Sequence, residues 1–164
     1  ATTTSYKSPI DGAYVNLADV SDENFSSGNM GKGFAIKPTD GKVYAPFDGT
    51  VEATFPTRHA IGLRSDTGIL TLIHIGIGTV KMQGTGFVQY VQKGDHVKQG
   101  QELIEFWQPA IKKAGYDDTV MIVVTNFKDI KDFNYIKDAG DVTHGEEILN
   151  LSNPVNDDGQ STQS

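Results

Sequence analysis

The stretch RHAIGLRSDTGILTLIHIG, residues Arg58–Gly76, decides how this chain is read. Two short apolar runs flank the turn sequence Ser65-Asp-Thr-Gly68, which predicts a β-hairpin. With Asp66 and Thr67 as a two-residue loop, Ser65 faces Gly68, Leu63 faces Leu70, Ile61 faces Leu72, and His59 faces His74. Directly opposed Cβ atoms in an antiparallel pair lie about 4.5–5.5 Å apart on one face. Two imidazoles then stand side by side at the far end of the hairpin, in an apolar patch of Ile61, Leu63, Leu70 and Leu72. A longer loop with a bulge moves the register by one, and the period of two then sends the rings to opposite faces.

Outward from this hairpin the texture stays β. The chain has 164 residues, 37% hydrophobic, with 18 glycines. That length fits about one domain with a self-sufficient core. Turn signals recur at Asp11-Gly12, Asp40-Gly41, Asp48-Gly49, Gln99-Gly100 and His144-Gly145. Between them lie runs rich in β-branched and aromatic residues, such as Phe34–Ile36, Thr50–Phe55, Leu103–Phe106, Val120–Thr125 and Ile148–Leu151. Many short strands at this spacing predict an all-β sandwich or barrel. Helical character is expected only in short pieces. One is a turn over Ala110–Ala114 after Pro109. The other is a short amphipathic helix in which Phe127, Ile130, Phe133 and Ile136 recur every third residue. Residues 1–7 and 152–164, polar and poor in apolar side chains, are expected to be flexible tails around a domain at 8–151.

Two internal echoes point to a duplicated unit. Pro9-Ile-Asp-Gly-Ala-Tyr-Val15 resembles Pro46-Phe-Asp-Gly-Thr-Val51. Val97-Lys-Gln-Gly-Gln-Glu-Leu-Ile104 resembles Val142-Thr-His-Gly-Glu-Glu-Ile-Leu149. Charge narrows the function. Fourteen Lys+Arg against 21 Asp+Glu give a formal charge of -7, so no basic stripe exists to neutralise nucleic-acid phosphates. No apolar run approaches the roughly 20 residues of a membrane-spanning helix, so no membrane insertion is expected. The absence of cysteine excludes thiol chemistry and disulfides.

Of four histidines, His96 and His144 fall in turn motifs and read as exposed loop residues. His59 and His74 are the candidates for chemistry. A neutral imidazole is a nucleophile near pH 7, and a second ring can donate to charge that builds on the first. Phosphoryl transfer asks for little beyond in-line positioning and charge stabilisation. Thr57 lies two residues before His59, on the same strand face. Spacing alone favours a structural, hydrogen-bonded histidine pair and leaves phosphoryl transfer as one idea among several. A metal site needs a third ligand, and no HxH or HExxH is present.

The segment Gly68–Val80 (GILTLIHIGIGTV) resembles the signature around the phosphorylated histidine of the glucose-type enzyme IIA domain of the bacterial phosphoenolpyruvate-dependent sugar phosphotransferase system. Further landmarks agree in order, among them Phe34–Pro38, Ala45–Val51, Phe55–Ala60, Gly86-Phe87, Gly94–Val97 and Ile104–Phe106. The likeness covers residues 8 to 151. It implies an antiparallel β-sandwich built from a duplicated motif, with few helical turns and no cofactor. It implies a cytoplasmic phosphotransferase in which His74 accepts a phosphoryl group through Nε2. His59 would support that group and Thr57 would hydrogen-bond His59. The implied donor is the phosphocarrier HPr, and the acceptor is the cysteine of an enzyme IIB domain. Alternatively, phosphorylation would regulate a sugar permease. Phe25, Phe55, Leu72 and Val80 match the apolar docking surface. Gly78 stands where relatives commonly carry Asp, and Asn29 and Met30 where aliphatic residues are usual.

Two other readings compete. Gly94–Leu103 is similar to lipoyl and biotinyl carrier domains, for which Lys81 is the available lysine. A zinc hydrolase of the two-fold β type lacks its third ligand.

Overall fold

A computed structural model describes residues 3–152. Fourteen strands run through them: β1 (Thr3–Lys7), β2 (Gly12–Val15), β3 (Lys32–Pro38), β4 (Lys42–Tyr44), β5 (Gly49–Thr54), β6 (Ala60–Ser65), β7 (Leu70–Ile77), β8 (Phe87–Gln89), β9 (His96–Val97), β10 (Glu102–Phe106), β11 (Asp117–Val124), β12 (Phe133–Tyr135), β13 (Asp141–Val142) and β14 (Glu147–Ser152). Every pairing is antiparallel. One layer is an eight-stranded sheet in the order β13-β2-β3-β11-β7-β6-β5-β9. Two three-stranded sheets, β1-β14-β12 and β4-β10-β8, supply the facing side chains. The expected β-sandwich is therefore the fold. Its core joins Phe34, Ile61, Ile73 and Ile122 of the large sheet to Tyr6, Leu149, Ile104 and Phe106 of the small ones.

The order of the large sheet reads the same from both ends if β2 corresponds to β5, β3 to β6 and β11 to β7. The backbone obeys the same correspondence. Gly12 pairs with Val142, and Gly49 pairs with Val97. The His144 amide donates to Asp11 Oδ1 at 2.7 Å, and the Gln99 amide donates to Asp48 Oδ1 at 2.7 Å. The Gly145 amide donates to Ser8 O and the Gly100 amide to Ala45 O, each at 2.9 Å. Both sequence echoes thus lie at equivalent places in two similar halves.

The central strand β11 is buried along both faces, as its nearly unbroken apolar run TVMIVV requires. Val120, Ile122 and Val124 enter the main core. Met121 and Val123 point the other way, into a second cluster with Val20, Phe25 and Ala35. That second face is covered by residues 17–31, which hold a 3-10 turn (Leu17–Asp19) and the short helix α1 (Glu23–Ser26). Asp22 caps α1 by accepting the Asn24 amide at 2.9 Å.

Three expectations are corrected. Residues 3–7, read as part of a tail, form β1, because Thr4 and Tyr6 alternate inward and the strand pairs with β14. Ser152, read as the start of the other tail, ends β14 opposite Thr3, and residues 1–2 and 153–164 lie outside the described part. The helix expected through Phe127–Ile136 is a 3-10 turn (Phe127–Asp129) followed by β12. Pairing of Phe133 with Leu151 on the free side of β14 overrides the three-residue periodicity there. The turn expected near Ala110 is the helix α2 (Gln108–Lys113), and α1 was not anticipated.

Tyr6 ties the layers together. It is fully buried, and its hydroxyl meets Thr71 Oγ1 at 2.5 Å. Thr71 donates its own proton to Val123 O at 2.7 Å, so Tyr6 is the donor in this pair. Replacement Tyr6→Phe should cost about 1 kcal/mol, read as a lower urea midpoint with unchanged m-value.

Candidate active site

The β6–β7 hairpin closes through a three-residue loop rather than two. The Ser65 amide donates to Ile69 O at 2.8 Å, and Gly68 adopts φ +98°. This turn with a left-handed glycine is a common hairpin form. It shifts the register, so that Ala60 faces His74, Ile61 faces Ile73 and Gly62 faces Leu72. Ile61 and Leu63 therefore enter the main core and leave the expected histidine patch. Strand alternation alone would now separate the two rings. They nevertheless meet, with centroids 4.8 Å apart and planes at 85°. His59 precedes β6, after Arg58 at φ +56°, and escapes the alternation.

His74 lies on the face shared with Leu72 and Met121. Its Nδ1 is 2.9 Å from Gly76 O. A carbonyl can only accept, so Nδ1 holds the proton of the neutral ring and Nε2 presents a lone pair. The backbone bends back to make this bond at Gly76, φ +80°. A Cβ there would meet Thr79 and stand 2.9 Å from Asp117 O, so only glycine fits. His59 Nδ1 shares a 2.6 Å hydrogen bond with the Thr57 hydroxyl. His59 is only 7% exposed and His74 is half-buried.

Apolar rings flank the pair. Phe25 of α1 packs 5.1 Å from the His74 ring, and Phe55 5.8 Å from the His59 ring. Leu72 packs against the Phe25 cluster. Phe55, Met30 and Val80 expose 38%, 38% and 49% of their surface. Val80 belongs to the 3-10 turn Thr79–Met82 that follows β7. Gly78 opens that turn at φ +81°, where a Cβ would lie 2.9 Å from Tyr116 Cδ1. Asn29 is exposed. Lys81 stands within the same 3-10 turn rather than at a hairpin tip. Among the described residues no three His, Cys, Asp or Glu side chains gather as a metal-ligand set.

His96 is exposed and its Nε2 lies 3.2 Å from Asp66 Oδ1, but it belongs to β9, paired with Thr50, rather than to a turn. His144 is more than loop decoration. Its ring stacks on Tyr44 at 4.1 Å, and its Nδ1 meets Asp11 Oδ1 at 2.8 Å. Three contributors to the site were not singled out in the sequence: the Gly76 carbonyl, the Arg58 backbone, and Asp22, whose charge acts on His74.

Burial, reinforced by the neighbouring His59, pushes His74 down from an ordinary 6.5 to about 4, against the opposing pull of Gly76 O and Asp22. Burial also lowers His59. The pair is thus neutral at pH 7, with the His74 lone pair on Nε2.

This sandwich is the fold of a sugar-permease IIA domain. The solved structure of glucose permease IIA from Mycoplasma capricolum superposes with a TM-score of 0.83 at 31% identity, covering 92% of this chain and 96% of that one. The chain belongs to the phosphoenolpyruvate-dependent sugar phosphotransferase system EIIA 1 family, whose model matches residues 4–130. The raffinose carrier protein of Pediococcus pentosaceus is 52% identical over 144 residues, which are 87% of this chain and 22% of that protein. The β-glucoside-specific EIIBCA component of Bacillus subtilis (strain 168) is 46% identical over 145 residues, 88% of this chain and 24% of that protein. The chain therefore spans about a quarter or less of these curated relatives. Among the described residues no helix is long and apolar enough to cross a membrane.

Imidazole NMR titration should place the His74 midpoint near 4 and His59 below 6.5. Because the unfolded chain binds the His74 proton at higher pH than the folded one, stability should be full above about 6.5. It should fall as pH drops toward 4. Urea midpoints across that window check the sign, and His74→Leu should flatten the slope.

Proposed function

We propose that this IIA domain is a phosphocarrier in the cytoplasm, taking a phosphoryl group from phospho-HPr onto His74 Nε2 and passing it to the cysteine of an enzyme IIB domain. The observation that carries this reading is the proton held on His74 Nδ1 by Gly76 O, which leaves Nε2 as the in-line nucleophile. In the first step the P–N bond of the donor phosphohistidine breaks as a P–N bond to His74 Nε2 forms. In the second step that bond breaks as a P–S bond forms on the IIB cysteine. In this reading the Thr57 hydroxyl is the donor in its 2.6 Å bond with His59 Nδ1, so that the His59 proton sits on Nε2 and donates to the phosphoryl oxygens. The apolar rim of Phe25, Phe55, Leu72 and Val80 receives the partner and excludes water that would hydrolyse the intermediate. Gly78 adds no side chain to this rim.

A second reading has its own support. The raffinose carrier protein and the lactose permease of Lactobacillus delbrueckii subsp. bulgaricus, 53% identical over 119 residues, carry transporter names without a IIB designation. In that setting the same phosphohistidine regulates a sugar permease instead of feeding a IIB cysteine.

Incubation with phosphoenolpyruvate, enzyme I and HPr should add one acid-labile phosphoryl group. His74→Ala should abolish it. His59→Gln should still accept the group but pass it on about 10²-fold more slowly. Labelling that survives His74→Ala would sink the assignment. A labelled domain that passes nothing to IIB proteins favours the regulatory reading.

A further inference from the structure

Arg58 is one of only two non-glycine residues with positive φ among the described residues. Its position gives this a consequence. Ala60 faces His74 across the ladder and shares its face, so a residue 59 in regular strand conformation would project to the other face, beside the fully buried Ile61. Instead the chain leaves the ladder halfway through His59. The His59 carbonyl still accepts the Ile75 amide at 2.7 Å, but the Ile75 carbonyl takes the Thr79 hydroxyl, at 2.5 Å. The diversion starts at Arg58, whose amide closes a turn onto Phe55 O at 2.8 Å and whose φ is +56°. Its guanidinium lies over Gly84, where an added Cβ would be 2.9 Å from Nη2. In the other half of the molecule the equivalent position is Gly31, again at positive φ, +148°.

We propose that Arg58 is the positioning residue of the histidine pair: its left-handed backbone, not its charge, turns His59 out of strand alternation and onto the face of His74. The side chain lies against Gly84. The proposal rests on the reading of His59 and His74 as the phosphoryl site for its kinetic consequence, but not for its geometry. Side chains branched at Cβ tolerate the left-handed region poorly, whereas glycine enters it freely.

The test compares Arg58→Val, Arg58→Ala and Arg58→Gly in the full chain. Each is checked for folding by its amide spectrum. Two readouts follow: nuclear Overhauser contact between the imidazoles with the His74 titration midpoint, and the rate of phosphoryl transfer onward from His74. In Arg58→Val the ring contact should be lost and the midpoint should rise, with onward transfer slowed about 10²-fold. Arg58→Ala should fall between, which keeps the test alive if the valine variant does not fold. Arg58→Gly should restore the ring contact and relieve the kinetic loss. Wild-type ring contact in Arg58→Val overturns the proposal. A loss in Arg58→Gly as deep as in Arg58→Val assigns the effect to the guanidinium and overturns it equally. The imidazole readout needs no phosphoryl donor, so failure of the transfer reading would show separately, as a wild-type domain that has the ring contact but accepts no phosphate.

Discussion

The loop between Ser65 and Ile69 fixes the register of β6 against β7, and the arrangement at both ends of that hairpin follows from it. Gly68 supplies the left-handed turn, and the Ser65 hydroxyl accepts the Ile69 amide at 2.8 Å. With that rung set, Ile61 and Ile73 meet in the main core, while Gly62 and Leu72 share the opposite face. A slip of one rung would exchange the two faces and bury what is now open. The small residues Ala60 and Gly62 on this face leave room beside His74 for a ring arriving from outside the ladder. The histidine pair is thus a product of register plus one departure from it.

Around the pair, burial and hydrogen bonding pull the His74 ring in opposite directions, and burial prevails. Apolar neighbours disfavour the protonated ring, and the Gly76 carbonyl decides which nitrogen keeps the remaining proton. Neither effect requires a charged partner. A neutral nucleophile in a water-poor setting suits a group that arrives carrying negative charge and must leave again. The helix α1, only four residues long, matters here because Phe25 covers one side of the His74 ring.

Much of this was legible beforehand, and the rest was hidden for identifiable reasons. Strands showed because Gly- and Asp-rich turns punctuate β-branched runs, and the twofold repeat showed in Pro9–Val15 and Pro46–Val51. The pairing of His59 with His74 follows from the sequence only through a register that the hairpin does not have. A two-residue loop puts them opposite each other, whereas the real loop does not, and Arg58 brings them together again. Nothing in the local sequence announces an arginine at positive φ. Thr4 and Tyr6 concealed β1, since alternation among small polar residues carries little hydrophobic contrast. The spacing of Phe127 to Ile136 mimicked a helix because an edge of β14 needed a partner, a long-range demand that local pattern does not encode. The Asp22 cap was readable in principle, but a helix of one turn has no periodicity to confirm it.

The duplication has an architectural corollary. Following the paired rungs, the counterparts of His59 and His74 in the other half are Lys32 and Val123, with Gly33 against Val123 where Ala60 stands against His74. Lys32 there lies over the Phe133 ring at 4.8 Å, and Val123 is packed away. The same frame closes with imidazoles at these two places or with none. Chemistry and scaffold are therefore separable in this molecule: one half shows what the unit looks like when it serves only as masonry, and provides an internal blank against which every feature peculiar to the other half can be measured.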